Sequence, residues 1–223
     1  MSIRLFTDRD GGVSRGRYSS FNLSDQVGDV LADVIQNRGK LASLSGSTVF
    51  MDQTHGDMAI VVDGIPGATP KADALITQEK GIALAVLVAD CIPVLFWDEP
   101  GSVVAAVHVG RRGLVNGIAP KVVEILMSMG ARNIFAEFGP AICGACYEVG
   151  EDVFNEVVSM HPGAAYKSSK FSFALNLPGA LAIALNKVGV SVISSTICTA
   201  ESQEHFSFRR DGITGRAAGV ISL

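Results

Sequence analysis

The stretch Ile-Ala-Leu-Ala-Val-Leu-Val-Ala-Asp-Cys-Ile-Pro-Val-Leu-Phe-Trp (82–97), followed shortly by Val-Val-Ala-Ala-Val-His-Val (103–109), decides the fold class. Its three continuous apolar runs, 82–88, 92–97 and 103–109, are typical of strands covered on both faces. Around them the sequence predicts further strands at 48–51, 58–62, 134–138 and 190–197 and helices at 26–37, 116–129, 151–160 and 178–188. Strands that alternate with helices indicate a mixed α/β (α+β) sandwich.

Composition excludes several classes of function. The chain has 223 residues, of which 48% are hydrophobic, so it can bury a large core as one large domain or two small ones. The net charge of −4 argues against a nucleic-acid binder, which needs a basic surface. Charged residues make up only 18%, with no block of lysine or arginine, which argues against a membrane-surface role.

The termini and cysteines favour a cytoplasmic protein. The first ten residues contain no apolar segment of the kind found in signal peptides, and no apolar run is long enough to span a membrane. The four cysteines could form two disulfides, but a chain with so large a core does not need them. We therefore expect a reducing, cytoplasmic compartment.

Three short motifs contain the residues best suited to chemistry. They are Gln-Thr-His-Gly (53–56), Ala-Asp-Cys-Ile-Pro-Val (89–94) and Val-His-Val-Gly-Arg-Arg-Gly (107–113). The imidazoles of His55 and His108 and the thiolate of Cys91 could bind a metal and leave one coordination position free. A Cys91–His108 pair could instead act as an activated nucleophile. Both interpretations predict an enzyme.

Each of these residues also has a purely structural interpretation. A free cysteine between two apolar strands is often an inert core residue, and a histidine near a strand is often a hydrogen-bonded one. Asp90 and the proline after Cys91 interrupt what would otherwise be one core strand, and such interruptions are typical of functional sites. The spacing of His55, Cys91 and His108 matches no compact zinc finger, so tertiary structure would have to assemble the site.

Two arginine clusters predict anion binding. Arg111 and Arg112 lie between two glycines directly after His108, and Arg209 and Arg210 belong to the cation-rich segment 207–216. Guanidinium groups bind phosphate through paired hydrogen bonds. The alternative interpretation of both segments is a solvated turn.

Cys143-Gly-Ala-Cys146 is a third candidate motif. The spacing suits a redox pair or half of a zinc site. A structural zinc would need a second pair of ligands, and none is obvious from the sequence.

The motifs taken together resemble the YfiH-like family, also called laccase-domain proteins and regarded as purine nucleoside phosphorylases. The resemblance extends over nearly the whole chain. Besides the three motifs above, it rests on segments 7–14, 20–23, 27–29, 37–38, 72–77, 139–143, 147–150 and 208–216. It implies one catalytic domain over residues 1–223, folded as a layered α/β/β/α sandwich of the YfiH-like type.

The resemblance also implies a function and a set of site residues. The expected enzyme phosphorolyses adenosine, inosine, guanosine and methylthioadenosine, deaminates adenosine, and acts as a monomer or homodimer on nucleosides and phosphate. His55, Cys91 and His108 would hold a metal, usually Zn²⁺ with copper possible. Asn22 and Arg38 match positions associated with nucleoside and phosphate binding. Zinc deaminases use a carboxylate as acid and base, and Asp90 is the local candidate for that catalytic role.

The chain departs from the family pattern at two positions. Arg111 stands where the family usually has tryptophan, which could change base stacking, and Gln26 stands where it often has histidine. Other functions remain open: a metal-free Cys-His hydrolase or amidase, a copper-binding polyphenol oxidoreductase, and a non-catalytic factor. A full laccase needs on the order of ten histidines, whereas this chain has 4.

Overall fold

The apolar runs form the central strands of two β-sheets. The computed structural model describes residues 3–223, so Met1 and Ser2, which the predicted single domain includes, lie outside the described residues. The strands in chain order are β1 (Ile3–Phe6), β2 (Ser47–Val49), β3 (Ala59–Val61), β4 (Ala74–Thr77), β5 (Ile82–Val88), β6 (Ile92–Asp98), β7 (Val104–Val109), β8 (Ile134–Phe138), β9 (Ala165–Tyr166), β10 (Ala174–Leu175), β11 (Ser191–Ser194) and β12 (Ala217–Ser222).

One sheet has four strands and the other has six. The four-stranded sheet has the order β1-β12-β5-β2, and the six-stranded sheet has the order β11-β8-β6-β7-β4-β3. Strands β5, β6 and β7 therefore lie inside sheets rather than at their edges, as their uninterrupted apolar sequence requires. Strands β9 and β10 form a separate two-stranded ribbon.

The helices cover the outer faces of both sheets. They are α1 (Leu31–Ser45), α2 (Arg111–Val115), α3 (Ile118–Ser128), α4 (Glu151–Met160), α5 (Leu177–Lys187) and α6 (Phe208–Asp211), with short 3-10 turns at Gly16–Tyr18 and Pro162–Ala164. None of these described helices is both long and apolar enough to cross a membrane.

Side-chain alternation along the strands produces the layers. In β5, Leu84 and Val86 pack between the two sheets, whereas Ala83 and Ala85 pack with Leu41 of α1 on the outer face. The opposite face of the six-stranded sheet packs on α3, α4 and α5. The result is a single-domain α/β/β/α sandwich, which confirms the predicted fold class.

Three of the predicted elements are wrong in their bounds because of turns. The helix predicted at 26–37 begins later and ends later, since Gly28 has a φ of 89° and Gly46, which ends α1, has a φ of 80°. The helix predicted at 116–129 corresponds to α3, which begins later because Gly117 has a φ of 74°, and the short helix α2 before it was not predicted. The strand predicted at 190–197 ends at Ser194.

Candidate functional site

Strand register brings the three chemical motifs to one end of the inter-sheet layer. His108 lies on the same face of β7 as Val104 and Ala106, which pack between the sheets. Pairing of β6 with β7 sets Pro93 opposite His108, so Cys91, just before β6, lies beside Gly110. The ligand atoms of His55, Cys91 and His108 all lie within 4.8 Å of one another.

The buried carboxylate of Asp73 accepts hydrogen bonds from two of the three segments that form this cluster. Asp73 directly precedes β4, is fully buried, and its Oδ1 lies 2.8 Å from Nδ1 of His108. Burial alone would raise the pKa of this carboxyl, but hydrogen bonds from His108, Gly56 and Thr54 outweigh it and hold the pKa well below its usual range. Asp73 is therefore a fixed anion that orients His108 so that its other ring nitrogen is available to a ligand.

The same carboxylate holds the turn that carries His55. The backbone N–H groups of His55 and Gly56 donate to Asp73 at 2.9 and 2.8 Å, and the Thr54 hydroxyl donates to it at 2.8 Å. His55 has a φ of 59°, an uncommon conformation for a residue other than glycine. Such conformations persist where surrounding contacts fix them, and they are concentrated at functional sites.

Cys91 lies in a strongly polarising environment. Burial raises the pKa of its thiol, but the neighbouring His108 and then His55 lower the pKa further, so the net shift is downward. The pKa of His108 moves up, because Cys91 and Asp73 outweigh the effect of its own burial. The site therefore favours the thiolate, the form of cysteine that binds metals and attacks electrophiles.

The donor set fits a metal ion with an open coordination position. Two imidazoles and one thiolate converge, and the cleft described below opens beside them. A Cβ atom at Gly110 would lie 3.1 Å from Sγ of Cys91 and 3.3 Å from Cδ2 of His55, so a larger residue would push against both side chains. Glycine at this position keeps the approach to the three donors clear.

A cleft of about 550 Å³ opens beside the cluster. Its walls combine aromatic and cationic side chains. The residues with ring or guanidinium groups are Tyr147, Phe208, Arg111, Arg112, Arg209 and Arg216. Phe208 is 57% exposed, although it is a large apolar side chain, so its ring is available to a planar ligand.

Three of the four cleft arginines have no carboxylate counter-ion within residues 3–223. Arg112, Arg209 and Arg216 make no salt bridge there, whereas Nη1 of Arg111 contacts the Glu156 carboxylate at 2.6 Å. Arg209 is held in place by a hydrogen bond to the Glu148 carbonyl at 2.9 Å and by its position over the Tyr147 ring. Such unneutralised guanidinium groups favour an anionic ligand.

Two of the residues predicted to bind substrate, Asn22 and Arg210, do not line the main cleft. Asn22 is fully buried, and its side chain bonds Ser24, Asp29 and the backbone N–H of Arg216. The Arg210 guanidinium donates hydrogen bonds to the Asp211 carboxylate and to the carbonyls of Thr199, Ser202 and His205. Both side chains lie outside the cleft lining and stabilise loops.

Asp90 lines the cleft but is engaged by protein groups. Its two carboxylate oxygens accept hydrogen bonds from the Thr199 hydroxyl and the backbone N–H of Arg209, both at 2.7 Å. With a φ of 93°, Asp90 forms the sharp bend between β5 and β6. These contacts fix the Asp90 carboxylate at the wall of the cleft, and its predicted acid–base role stays a prediction.

Arg38 lies in a second, smaller cleft of about 290 Å³. This cleft adjoins the first through His55, Gln53, Leu87 and Arg216, which line both. Arg38 contacts Asp25 at 3.1 Å and stacks over the Phe50 ring. Arg38 does not line the main cleft, and its predicted role in substrate binding stays a prediction.

Sequence reasoning missed Asp73, Phe208 and Arg216 as individual site residues. A signal for Asp73 was present, since a carboxylate immediately before the buried strand Ala-Leu-Ile-Thr (74–77) needs a partner. Arg216 belongs to the cation-rich segment 207–216, for which the sequence predicts anion binding without singling out this residue. Phe208 gave no signal, because its exposure depends on how α6 docks.

Comparisons with known proteins extend over the whole described chain. Residues 3–223 match the model of a family described as multi-copper polyphenol oxidoreductase laccase. A protein of Corynebacterium glutamicum named purine nucleoside phosphorylase is 42% identical over 230 residues, covering 99% of this chain and 94% of the relative.

Solved structures share the same fold. The crystal structure of protein NMB0706 of Neisseria meningitidis has a TM-score of 0.91 and 37% identity, covering 100% of this chain and 94% of that one. The crystal structure of a Bacillus licheniformis protein described as hypothetical protein YfiH has a TM-score of 0.92 and 31% identity, covering 100% and 92%.

Proposed function

This chain belongs to the multi-copper polyphenol oxidoreductase laccase family, as its motifs predict, and from that premise we propose that it is a purine nucleoside phosphorylase. One observation supports this proposal most strongly. The cleft combines the exposed Phe208 ring and the half-buried Tyr147 ring for a planar base with three unneutralised arginines for phosphate, beside a thiolate–imidazole cluster. Nucleosides and inorganic phosphate are the proposed substrates.

We assign His55, Cys91 and His108 as the ligands of a metal, with zinc as the proposed ion. When bound, it supplies a Lewis acid with an open position that can polarise a substrate oxygen or acidify water. Asp73 keeps His108 in the ligand orientation.

The chain's own residues account for the binding and orientation of both substrates. Phosphorolysis forms a bond from a phosphate oxygen to ribose C1′ and breaks the C1′–N9 bond, whose electron pair leaves with the purine. Arg112, Arg209 and Arg216 hold the phosphate dianion and keep it near C1′. Phe208 and Tyr147 bind the purine face.

Tyr147 is suited to hydrogen bonding with the leaving purine. Burial and then the Cys91 thiolate raise the pKa of its phenol, so the proton is retained at neutral pH. Within the described part of the chain, its hydroxyl makes no hydrogen bond with protein. We propose that this hydroxyl donates to a ring nitrogen of the base as negative charge develops there.

A panel of nucleosides incubated with and without phosphate tests the proposal. Adenosine, inosine, guanosine and methylthioadenosine should each give free base and a ribose 1-phosphate product only when phosphate is present. Mass spectrometry of the products identifies both. Base release that is independent of phosphate would reject phosphorolysis.

Replacement of Arg112 with alanine should raise the apparent KM for phosphate by about tenfold or more, because a hydrogen bond to a charged group contributes about 1.5–3 kcal/mol. The matched control is Arg132→Ala, an exposed arginine outside the cleft lining. Initial rates across a phosphate series give the KM of each protein. An equal KM in the two variants would remove Arg112 from the phosphate site.

Replacement of Arg111 with tryptophan should change the preference among nucleosides without loss of metal. Arg111 lines the cleft and pairs with Glu156, so a flat apolar ring there alters contact with the base but not with the metal ligands. The kcat/KM values for adenosine, inosine and methylthioadenosine, with zinc content measured in parallel, test this. Unchanged ratios would identify Arg111 as a surface residue without influence on specificity.

Adenosine deamination is a second proposed reaction of the same cleft. It requires water attack at purine C6 and proton transfer to the leaving ammonia. The metal position supports it, but the expected carboxylate, Asp90, already accepts two protein hydrogen bonds. The nucleoside panel measures it directly, as inosine formed from adenosine without phosphate.

One alternative has a specific structural basis. Asp73, His108 and Cys91 form a chain of contacts like that of a Cys-His-Asp hydrolase. That arrangement gives no role to His55, which the Asp73-bound turn holds against the same thiol. Activity that survives complete removal of metal would favour the hydrolase.

A further inference from the structure

The three cysteines outside the candidate active site form a second cluster with a carboxylate. Ligand atoms of Cys143, Cys146, Cys198 and Glu201 all lie within 4.8 Å of one another. All three cysteines are free thiols. None of the four residues lines the active-site cleft, so the proposed phosphorolysis gives them no role.

The cluster consists of two ligand pairs with the same spacing. Cys143-Gly-Ala-Cys146 follows β8, and Cys198-Thr-Ala-Glu201 follows β11, the strand parallel to β8. A bridge between Ala141 and Cys198 holds the two segments side by side. The missing second pair of the CxxC motif is therefore a C-x-x-E pair, which sequence spacing alone did not reveal.

The cysteine sulfur atoms make contacts of the kind found around metal-binding thiolates. The backbone N–H of Cys143 points at Sγ of Cys198 at 3.3 Å, and Sγ of Cys146 lies 3.6 Å from a Glu201 oxygen. A tetrahedral zinc with bonds of about 2.3 Å to sulfur places its sulfur ligands about 3.8 Å apart. The four ligand atoms, all within 4.8 Å of one another, lie in the range from which such a geometry can form.

We propose that Cys143, Cys146, Cys198 and Glu201 form a second, structural Zn²⁺ site. Binding would release the three thiol protons to solvent and form three Zn–S bonds and one Zn–O bond, with no change in oxidation state. Four protein ligands close the coordination sphere, as in structural rather than catalytic zinc sites. The Arg210 guanidinium donates hydrogen bonds to the carbonyls of Thr199 and Ser202 and so holds the loop that contains Cys198 and Glu201.

The proposed zinc site lies next to two segments that line the active-site cleft. Tyr147 directly follows Cys146, and the loop that begins at Cys198 leads to Phe208 and Arg209. Zinc would thus join the two segments that supply the aromatic wall of the cleft. The hydrogen bond from Arg209 to the Glu148 carbonyl joins them at a second point.

Zinc content in two serine variants tests the proposal independently of enzyme activity. Cys91→Ser removes a ligand of the first cluster only, so this protein should retain one zinc per chain. Cys91→Ser/Cys146→Ser should retain none. Cobalt substituted into the Cys91→Ser protein should give thiolate-to-metal charge-transfer absorption, which the double variant lacks. Equal zinc content in the two proteins, or absence of zinc from Cys91→Ser protein purified under reducing conditions with zinc supplied, would overturn the site.

Two glutamine variants that keep all three cysteines of the cluster test the site even if the double serine variant does not fold. Glu201→Gln should weaken zinc binding in the Cys91→Ser background by about tenfold or more, while Glu204→Gln, a change of another exposed glutamate in the same loop, should leave it unchanged. Competition with a chromophoric chelator measures both affinities. The same affinity in both variants would contradict the assignment of Glu201.

Discussion

A Cys91→Ser protein is expected to lose metal from the His55–Cys91–His108 cluster and to lose phosphorolysis by about 100-fold or more. The thiolate is the only anionic donor among the three ligands, and even replacement of a residue that merely supports a ligand lowers metal affinity or activity by about 10–100-fold. Serine has nearly the same shape, so the fold should persist. Equilibrium dialysis against zinc and initial rates with inosine and phosphate provide the two measurements.

The control for Cys91→Ser is its thermal unfolding. If Cys91→Ser unfolds at the wild-type temperature in the absence of metal but binds little zinc at this cluster, Cys91 is a metal ligand and not merely a packing residue. Wild-type zinc affinity together with a large loss of activity would instead indicate that Cys91 is a nucleophile, as in the hydrolase alternative.

Asp73→Asn is expected to have the largest effect on stability. One carboxylate accepts hydrogen bonds from His108, His55, Gly56 and the Thr54 hydroxyl, and an amide of the same size presents an N–H₂ group to some of these donors. Removal of one partner from a buried ion pair lowers the free energy of unfolding by about 3–5 kcal/mol. Zinc affinity should fall by about 10–100-fold as well, because His108 is no longer held.

Asp57→Asn is the matched control for Asp73→Asn. Asp57 pairs with Lys121 on the surface, where both side chains are about half exposed. Loss of such a pair changes the free energy of unfolding by about 0–1 kcal/mol. Urea denaturation of the two variants provides the comparison. Similar destabilisation in both would mean that Asp73 does not organise the site.

The sequence predicted the architecture well where apolar pattern determines it. Strands β5 and β8 and helix α4 have the predicted bounds. Each has an uninterrupted apolar pattern that is bounded on both sides by turn residues. The bounds of α1 and the division between α2 and α3 depend on glycines in the left-handed region. A glycine in a sequence does not reveal which sign of φ it adopts.

The sequence predicted the convergence of His55, Cys91 and His108, but not the contacts that support this cluster. His55, Cys91 and His108 each interrupt an apolar segment, and that interruption is visible in the sequence. Asp73 becomes important only because strand pairing sets it opposite His108, 35 residues away. The family resemblance implies substrate binding by Asn22, and the cation-rich segment predicts anion binding by Arg210, but in the fold both side chains form hydrogen bonds within loops.

The fate of solvent oxygen tests the central claim most directly. Adenosine and phosphate are incubated with the enzyme in ¹⁸O-water, and the products are analysed by mass spectrometry. The account predicts ribose 1-phosphate without solvent ¹⁸O, since the new bond to C1′ comes from phosphate, and it predicts that Cys91→Ser forms little of it. Any deamination places ¹⁸O on C6 of the base alone. Free ribose formed in place of ribose 1-phosphate, or equal formation of ribose 1-phosphate by both proteins, would contradict the proposed function.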